Sequence, residues 1–159
     1  MIRFILLLVL TSQMAFAVGK KEIQNCIKQN EKQYGIPRTL LSALIKHESS
    51  YQEKAINPVG PGNAVTSFGL GQITIPTAKT FCDIKTKREL LRHDKNIKCT
   101  AKILKHHIKE YGDVHAALAA YRAGTPCRYN KSKKRIRICT VADKKYIRDV
   151  LQNKLGYNG

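Results

Sequence analysis

The sequence predicts a mainly helical α+β domain with a small loop or hairpin insertion after the helix that carries Glu48. Apolar residues recur at steps of three and four along most of the chain, which is typical of amphipathic helices. Two prolines, two glycines and two asparagines crowd into the stretch 57–63, which is turn chemistry rather than helix. At 159 residues, 43% of them hydrophobic, the chain has enough apolar material for one core.

The first 17 residues have the layout of a secretory signal peptide. Arg3 precedes an apolar run over 4–10, and Ala15-Phe16-Ala17 has the small-x-small pattern of a cleavage site. We expect cleavage after Ala17, a single domain over 18–159, and a location in the periplasm or cell envelope without stable membrane insertion. The alternative is a retained anchor, which requires the apolar run to extend through 11–13 because a run of seven is short for a bilayer.

The charge of the chain predicts a polyanionic partner. Twenty-nine Lys and Arg against 11 Asp and Glu give a net charge of +18. Nucleic acid, an anionic membrane or an anionic wall polymer could each be attracted to such a surface. Because the chain is expected to be exported, we expect no nucleic-acid partner.

Five cysteines are present, so at least one is left over from intramolecular pairing. Disulfides persist in an exported protein. The shortest pairings are Cys82 with Cys99 and Cys127 with Cys139, leaving Cys26 free, although a bridge from Cys26 to either pair stays open. The zinc-type C-x-x-C spacing is absent from the sequence, and we expect neither a metal nor a cofactor.

The first predicted helix spans about 23–34, ends at Gly35, and is followed by a second that begins near Pro37. In the second helix Leu40, Leu41, Leu44 and Ile45 fall on an arc of roughly 140°. Glu48 lies near the middle of that arc. Burial there favours the neutral acid and raises its pKa, which suits a general acid at neutral pH. The alternative is that Glu48 lies in the last turn and faces solvent.

Later helices are predicted from their caps and stops. The predicted starts are Thr74, Asp94, Asp113 and Thr140, and the first three of these helices end near Cys82, Gly112 and Gly124. Residue 143 gives the last helix a variant capping box. Its core face is predicted to consist of Val141, Ile147, Val150 and Leu151. A short helical piece is expected over 87–92, and His106 and His107 are expected at the surface rather than as metal ligands.

Four local signals occur in order along the chain: Glu48-Ser49 at a helix end, Gly69-Leu70-Gly71-Gln72, Ala120-Tyr121-Arg122-Ala123-Gly124, and Tyr146-Ile147. Together they resemble the lytic transglycosylases with a soluble-lytic-transglycosylase domain, within the lysozyme-like superfamily. The resemblance covers about 26–151. It is strongest to small exported members that serve secretion, conjugation or pilus systems. The resemblance therefore implies components of such a system as partners.

The resemblance implies a lysozyme-like fold in which Glu48 is the catalytic acid and base. It implies substrate-binding roles for Ser49, Gly69, Leu70, Gln72, Tyr121 and Tyr146. Ser49 would lie beside the scissile sugar or orient the acid. The implied reaction cleaves the β-1,4 bond between N-acetylmuramic acid and N-acetylglucosamine in peptidoglycan glycan strands and leaves a 1,6-anhydro product. Such a reaction would open the wall locally for an envelope-spanning assembly.

Glycosidases normally use two carboxylates, and the sequence offers no convincing partner for Glu48. Glu53 follows the helix end, and the Asp residues at 83, 94 and 113 fit turns or caps. This favours a reaction in which one residue acts as acid and then as base. The alternatives are a hydrolytic lysozyme and a non-catalytic cationic wall-binding module.

Two positions depart from the family pattern. Gly71 stands where Met is usual and is expected to cost an apolar sugar contact. Arg122 stands where Asn is usual and is expected either to bind substrate differently or to depress the pKa of a nearby Glu. The basic loop over 128–137 has no clear family counterpart.

Overall fold

A computed structural model describes residues 19–59, 65–125, 127–128 and 137–155. The expected signal peptide and most of the basic loop lie outside these residues. In chain order the elements are α1 (19–34), α2 (Leu40–Ser49), β1 (Ile56–Val59), β2 (Val65–Phe68), β3 (Ile73–Thr74), α3 (Ile75–Cys82), α4 (Lys87–Leu90), α5 (His93–Tyr111), α6 (Val114–Ala123), β4 (Cys127–Arg128), β5 (Arg137–Ile138) and α7 (Val141–Leu155). The mainly helical fold with a small sheet is as predicted.

The core is built around α2, which packs against α7 and α5. Leu40, Leu41, Leu44 and Ile45 are fully buried, as their helical spacing predicts. The small residues of α6 are buried as well and allow close packing against α5 and α7. A second apolar cluster lies beneath the sheet, and Tyr121 packs against both clusters.

The insertion after α2 is an ordered antiparallel sheet with the order β1-β2-β3. Ile56 lies opposite Phe68, and Phe68 lies opposite Ile73 on its other side. The sequence predicts no more than a loop or a poorly formed hairpin here. The sheet forms because its inner face, with Phe68 and Ile73 buried, covers the second cluster.

The predicted start of α2 at Pro37 is wrong. Residues 38 and 39 form a turn, and Thr39 adopts φ +65°, so helical hydrogen bonding begins at Leu40. The free N–H groups of this helix are satisfied from α1: Glu31 Oε1 accepts from the backbone nitrogens of Leu41 and Ser42 at 3.0 and 3.3 Å. Glu31 thus replaces a local cap.

Caps in the rest of the chain are mostly as predicted. The side chains of Thr74 and Asp113 accept from the backbone of α3 and α6, and Gly112 and Gly124 end α5 and α6 in the left-handed conformation. Asp94 is the exception. Helix α5 begins at His93, and the Asp94 carboxylate makes a two-pronged ion pair with Arg92 instead of capping.

Helix α7 opens with the predicted capping box. The Asp143 backbone nitrogen donates to Thr140 Oγ1 at 3.1 Å, and Asp143 Oδ2 accepts from the Thr140 backbone nitrogen at 2.8 Å. Ile147 and Val150 are buried as expected, but Val141 is 86% exposed and its assignment to the core face is wrong. At about 100° per residue, Val141 lies on the opposite side of the helix from Val150.

Two disulfides tie surface segments to the core. Cys82 pairs with Cys99, which joins α3 to α5, and Cys127 pairs with Cys139, which joins β4 to the segment between β5 and α7. Cys26 is a free thiol. These are the shortest pairings in sequence. Among the described residues, no helix is long and apolar enough to cross a membrane.

Asn96 joins the sheet to the helices through three side-chain hydrogen bonds. It is buried, and its Nδ2 donates to the backbone oxygens of Phe68 and Leu90 at 2.9 and 2.8 Å. Its Oδ1 accepts from the Gly71 backbone nitrogen at 2.7 Å. The turn between β2 and β3 therefore has its position fixed by one amide on α5.

We predict that Asn96→Ala lowers the free energy of unfolding by about 3 kcal/mol, because it removes three hydrogen bonds to buried backbone groups. Chemical denaturation followed by circular dichroism measures the change. The control is Lys98→Ala on the same helix, where an exposed side chain is lost and stability should stay within about 0.5 kcal/mol. Equal effects of the two substitutions would contradict the assigned role of Asn96.

Candidate active site

A cleft of about 540 Å³ lies between the sheet and the helices α2, α3, α5, α6 and α7. The side chains in its walls include Glu48, Gln72, Tyr121, Arg122 and Tyr146, which lie far apart in sequence. The structure thus gathers parts of all four sequence signals in one place.

Glu48 lies in the last turn of α2 and in the wall of the cleft, rather than in open solvent. The Tyr146 hydroxyl donates a short hydrogen bond to its Oε1. Burial raises the pKa of Glu48 from 4.5 to about 7, and the Tyr146 hydrogen bond opposes part of that rise by stabilising the carboxylate. At neutral pH the neutral and ionised forms are therefore both populated.

Tyr146 reaches Glu48 from α7, and its ring packs edge-on against His47 with centroids 4.7 Å apart. Burial raises the pKa of Tyr146 well above 10, and the neighbouring Glu48 charge raises it further. Tyr146 therefore remains a protonated donor at any physiological pH. His47 serves here as a packing partner for the Tyr146 ring.

Tyr121 approaches the cleft from α6, and its hydroxyl donates to the Gly71 backbone oxygen at 2.7 Å. Burial raises the pKa of this phenol, with a further contribution from Glu48. Two neutral phenols therefore lie near one carboxyl group.

The glycine-rich turn places only part of its residues on the cleft. Gln72 lines it, with Oε1 accepting from Ser67 Oγ and Asn57 Nδ2, both at 2.7 Å. Gly69 and Leu70 are buried and are not among the lining residues, so their expected contact with a sugar is not supported. Gly69 has φ +73°, and a Cβ there would lie 2.5 Å from the Leu90 carbonyl oxygen.

Ser49 is also placed away from the cleft. Its side chain is buried and its hydroxyl donates to the Ile45 carbonyl oxygen at 3.2 Å. The Ser49 hydroxyl points away from the cleft, because residue 49 is turned by about 100° from Glu48 around the helix axis. The role beside the sugar or the acid that the resemblance implies for Ser49 stays a prediction.

Gly71 has a packing role that the sequence did not suggest. A Cβ at this position would lie 1.9 Å from Thr100 Oγ1 and 2.9 Å from the Tyr121 hydroxyl. A side chain here would meet α5 rather than a sugar, so the expected loss of a sugar contact is wrong. The missing Cβ instead lets Tyr121 and Thr100 approach the turn closely.

Arg122 forms an ion pair with Asp143, whose side chain is fully buried, at 2.8 Å. This pair joins α6 to the capping box of α7. The expectation that Arg122 depresses the pKa of Glu48 is wrong, because that pKa is raised and burial is its largest cause.

Glu48 is the sole carboxylate among the described residues of the cleft wall. Glu53 lies elsewhere and interacts with Lys54 and His93. Asp83 and Asp113 cap helix ends, as expected. Across the residues that the structure describes, no group of three His, Cys, Asp or Glu side chains is placed to hold a metal ion.

The sequence missed the far end of the cleft, where Phe81 and His107 line the wall. His107 is 8% exposed and stacks on Tyr111 with ring centroids 5.8 Å apart, so its expected place at the surface is wrong. Burial lowers the pKa of His107 and keeps its ring neutral. Its position on the edge of the apolar face of α5 was the available signal.

The fold and the cleft define a mainly helical domain whose cleft wall, among the described residues, contains one carboxylic acid, Glu48. Residues 25–138 match the model of the transglycosylase SLT domain, and the chain belongs to that family. Among curated proteins it is similar to Protein IpgF from Shigella flexneri, with 26% identity over 132 residues that cover 82% of this chain and 84% of IpgF. Protein IpgF from Shigella sonnei is equally similar.

Among solved structures, the fold is similar to an inactive mutant of the lytic transglycosylase Slt from Pseudomonas aeruginosa, with a TM-score of 0.70, 23% identity and 84% of this chain covered. It is also similar to the 70 kDa soluble lytic transglycosylase SLT70 from Escherichia coli, with a TM-score of 0.66, 24% identity and 82% covered. The match spans 23% of the length of each of those proteins, so the likeness concerns one part of them.

The raised pKa of Glu48 predicts a pH-dependent stability. The native state binds a proton more tightly than the unfolded state, so stability falls as pH rises from about 4.5 to about 7. Glu48→Gln removes this loss and should raise the free energy of unfolding above pH 7 by up to about 3 kcal/mol, with no gain below pH 4. Denaturation at pH 4 and pH 8 measures it.

The control is Glu53→Gln, which should show the opposite sign. Burial raises the pKa of Glu53, but hydrogen bonds and charge from Lys54 and His93 outweigh it and hold the pKa below 4.5. The ionised form is thus stabilising above that pH, and its removal should lower stability at pH 8. A gain for both variants at pH 8 would contradict the prediction, because it would show that removal of a negative charge stabilises the protein whether or not the acid is buried.

A second prediction concerns Gly71. Gly71→Ala forces its Cβ into Thr100 and Tyr121, and should lower the free energy of unfolding by about 2 kcal/mol. Thr100→Ala in the same chain removes the nearest atom and should recover part of that loss, as a double-mutant cycle measures. Gly19→Ala is the control, because nothing lies within 4 Å of its added Cβ. Additive losses at 71 and 100 would contradict the predicted clash.

Proposed function

We propose that this protein is a peptidoglycan lytic transglycosylase. It cleaves the β-1,4 bond between N-acetylmuramic acid and N-acetylglucosamine and leaves a 1,6-anhydro-muramic end. The observation that carries the proposal is the carboxyl group of Glu48, which has a pKa of about 7 and lines a cleft large enough for sugar rings. Membership of the transglycosylase SLT domain family supports it.

In the first step Glu48, in its neutral form, protonates the oxygen of the scissile bond. Burial makes this form available near pH 7. The acetamido group of the muramic acid stabilises the cation that develops as the bond breaks. Tyr146, which remains protonated, donates to the Glu48 carboxylate left behind.

In the second step the Glu48 carboxylate accepts the proton of the 6-hydroxyl of the same sugar, and that oxygen closes the anhydro ring on C1. The cycle returns Glu48 to its neutral form, so protons balance without a second acid. This agrees with the lack of another carboxylate among the described residues of the cleft wall. A pKa close to the working pH suits a group that must both give and take a proton.

Gln72 and Tyr121 are proposed to shape the cleft around the sugar. The bonds of Gln72 to the sheet and the bond of Tyr121 to Gly71 fix their side chains before substrate arrives. We further propose that the protein is exported and acts in the cell envelope, where it opens the wall for an envelope-spanning assembly. The net charge of +18 would speed its arrival at an anionic wall.

The test is product analysis of purified peptidoglycan digested by the wild-type protein and by Glu48→Gln. Mass spectrometry should find anhydro-muropeptides with the wild type, and the variant should release them at least ~100-fold more slowly, since the general acid is gone. Because Gln has nearly the same size and shape as Glu, the variant is expected to fold, and a loss of activity then reflects the lost acid. Reducing ends without anhydro products would identify a hydrolytic lysozyme instead. Equal wall clearance by both proteins would leave a cationic wall-binding module.

A further inference from the structure

Arg122 is placed where a cation can act on the substrate. It lines the same cleft as Glu48, and about a third of its side chain (36%) remains exposed. Its contact on α7 is Asp143, and the contact of Glu48 on α7 is Tyr146. Those two residues are one turn apart, about 4.5 Å along the helix axis. Arg122 and Glu48 therefore contact neighbouring turns of the same helix.

The Arg122 guanidinium is anchored by one hydrogen bond and keeps other N–H groups for a ligand. Nη1 donates to Asp143 Oδ1 at 2.8 Å, and no other described residue accepts a hydrogen bond from Arg122. An arginine has five N–H donors in a rigid fork that matches the two oxygens of a carboxylate. An anchored guanidinium loses little side-chain entropy when it binds a ligand.

The charge of Arg122 is only partly cancelled by its partner. Asp143 also accepts from Thr140 at the N-terminus of α7, with both Thr140 bonds to Oδ2 at 2.8 Å. That helix end carries about half a positive charge of its own. The Asp143 carboxylate is therefore shared between the guanidinium and the helix end, so it neutralises the charge of Arg122 only in part.

We propose that Arg122 binds a carboxylate carried by the muramic acid residue at the site, so that this protein prefers glycan strands in which that carboxylate is free. The inference rests on the proposed function and adds a substrate preference to it. The carboxylate has two possible sources: the lactyl group of muramic acid in peptide-free strands, and the stem peptide in intact strands.

The experiment compares kcat/KM on three glycan substrates: intact strands, strands freed of stem peptides, and peptide-free strands whose lactyl carboxylates are converted to methylamides. One charge-assisted hydrogen bond near a partly exposed site is worth about tenfold. The wild type should therefore cleave peptide-free strands about tenfold faster than the methylamides if the lactyl group is bound. If the stem peptide is bound, intact strands should be the preferred substrate by the same factor. Equal rates on all three overturn the proposal.

The matched variants separate recognition from position. Arg122→Asn should abolish the preference, and Arg122→Lys should retain part of it. Arg122→Asn leaves the buried Asp143 carboxylate without its guanidinium partner. A double variant, Arg122→Asn with Asp143→Asn, removes both charges, and it too should lose the preference. Lys109→Asn, an exposed change of equal charge on α5, should keep it. A tenfold preference that survives both Arg122→Asn variants overturns the proposal.

A binding measurement keeps the inference independent of turnover. Calorimetry with Glu48→Gln and a peptide-free tetrasaccharide should show about tenfold tighter binding than with its methylamide, and Arg122→Asn in that background should remove the difference. If the wild type forms anhydro products from all strands at equal rates and no binding difference exists, the proposed function stands and this inference is wrong. If binding differs but no strand is cleaved, the proposed function fails and the carboxylate site remains.

Discussion

Glu48 and Tyr146 meet across the interface between α2 and α7, and their hydrogen bond joins two helices that pack extensively against each other. A carboxyl group there is costly, because burial raises its pKa to about 7. Four fully buried residues one and two turns earlier on α2 hold the helix in place, namely Leu40, Leu41, Leu44 and Ile45. The apolar packing of α2 therefore keeps the Glu48 carboxyl group buried, although burial disfavours its ionised form.

The turn between β2 and β3, on the opposite wall of the cleft, is held by polar contacts in addition to the apolar packing of the sheet. Asn96 fixes the turn after β2 through three hydrogen bonds, and Gly71 in that turn accepts the Tyr121 hydroxyl. Thr100 fills the space that a Cβ at residue 71 would need. Since these contacts run from α5 through the turn to α6, the shape of the cleft is coupled to the packing of those helices.

Local sequence patterns correctly predicted the features that depend on residues close together in the chain. The inward position of Glu48 follows from the helical period, and the caps at Thr74 and Asp113 need only the next few residues. The start of α2 was mispredicted because its capping group, Glu31, lies ten residues earlier on another helix. Asn96 was overlooked for the same reason, since its partners Phe68 and Gly71 are 28 and 25 residues away. Contacts of that range leave no periodic signal.

Arg122 shows how a departure from a family pattern changes meaning once its partner is known. From sequence it is a cation near an acid, which should hold the acid ionised. In the structure its charge is shared with Asp143, a residue already engaged in capping α7, and burial governs Glu48 instead. The cleft can thus contain a cation for a substrate carboxylate while the pKa of its own carboxyl group, Glu48, stays at about 7. A single acid that both gives and takes a proton requires that the cation does not act on it directly. A bare guanidinium beside Glu48 would lower its pKa and remove the protonated form.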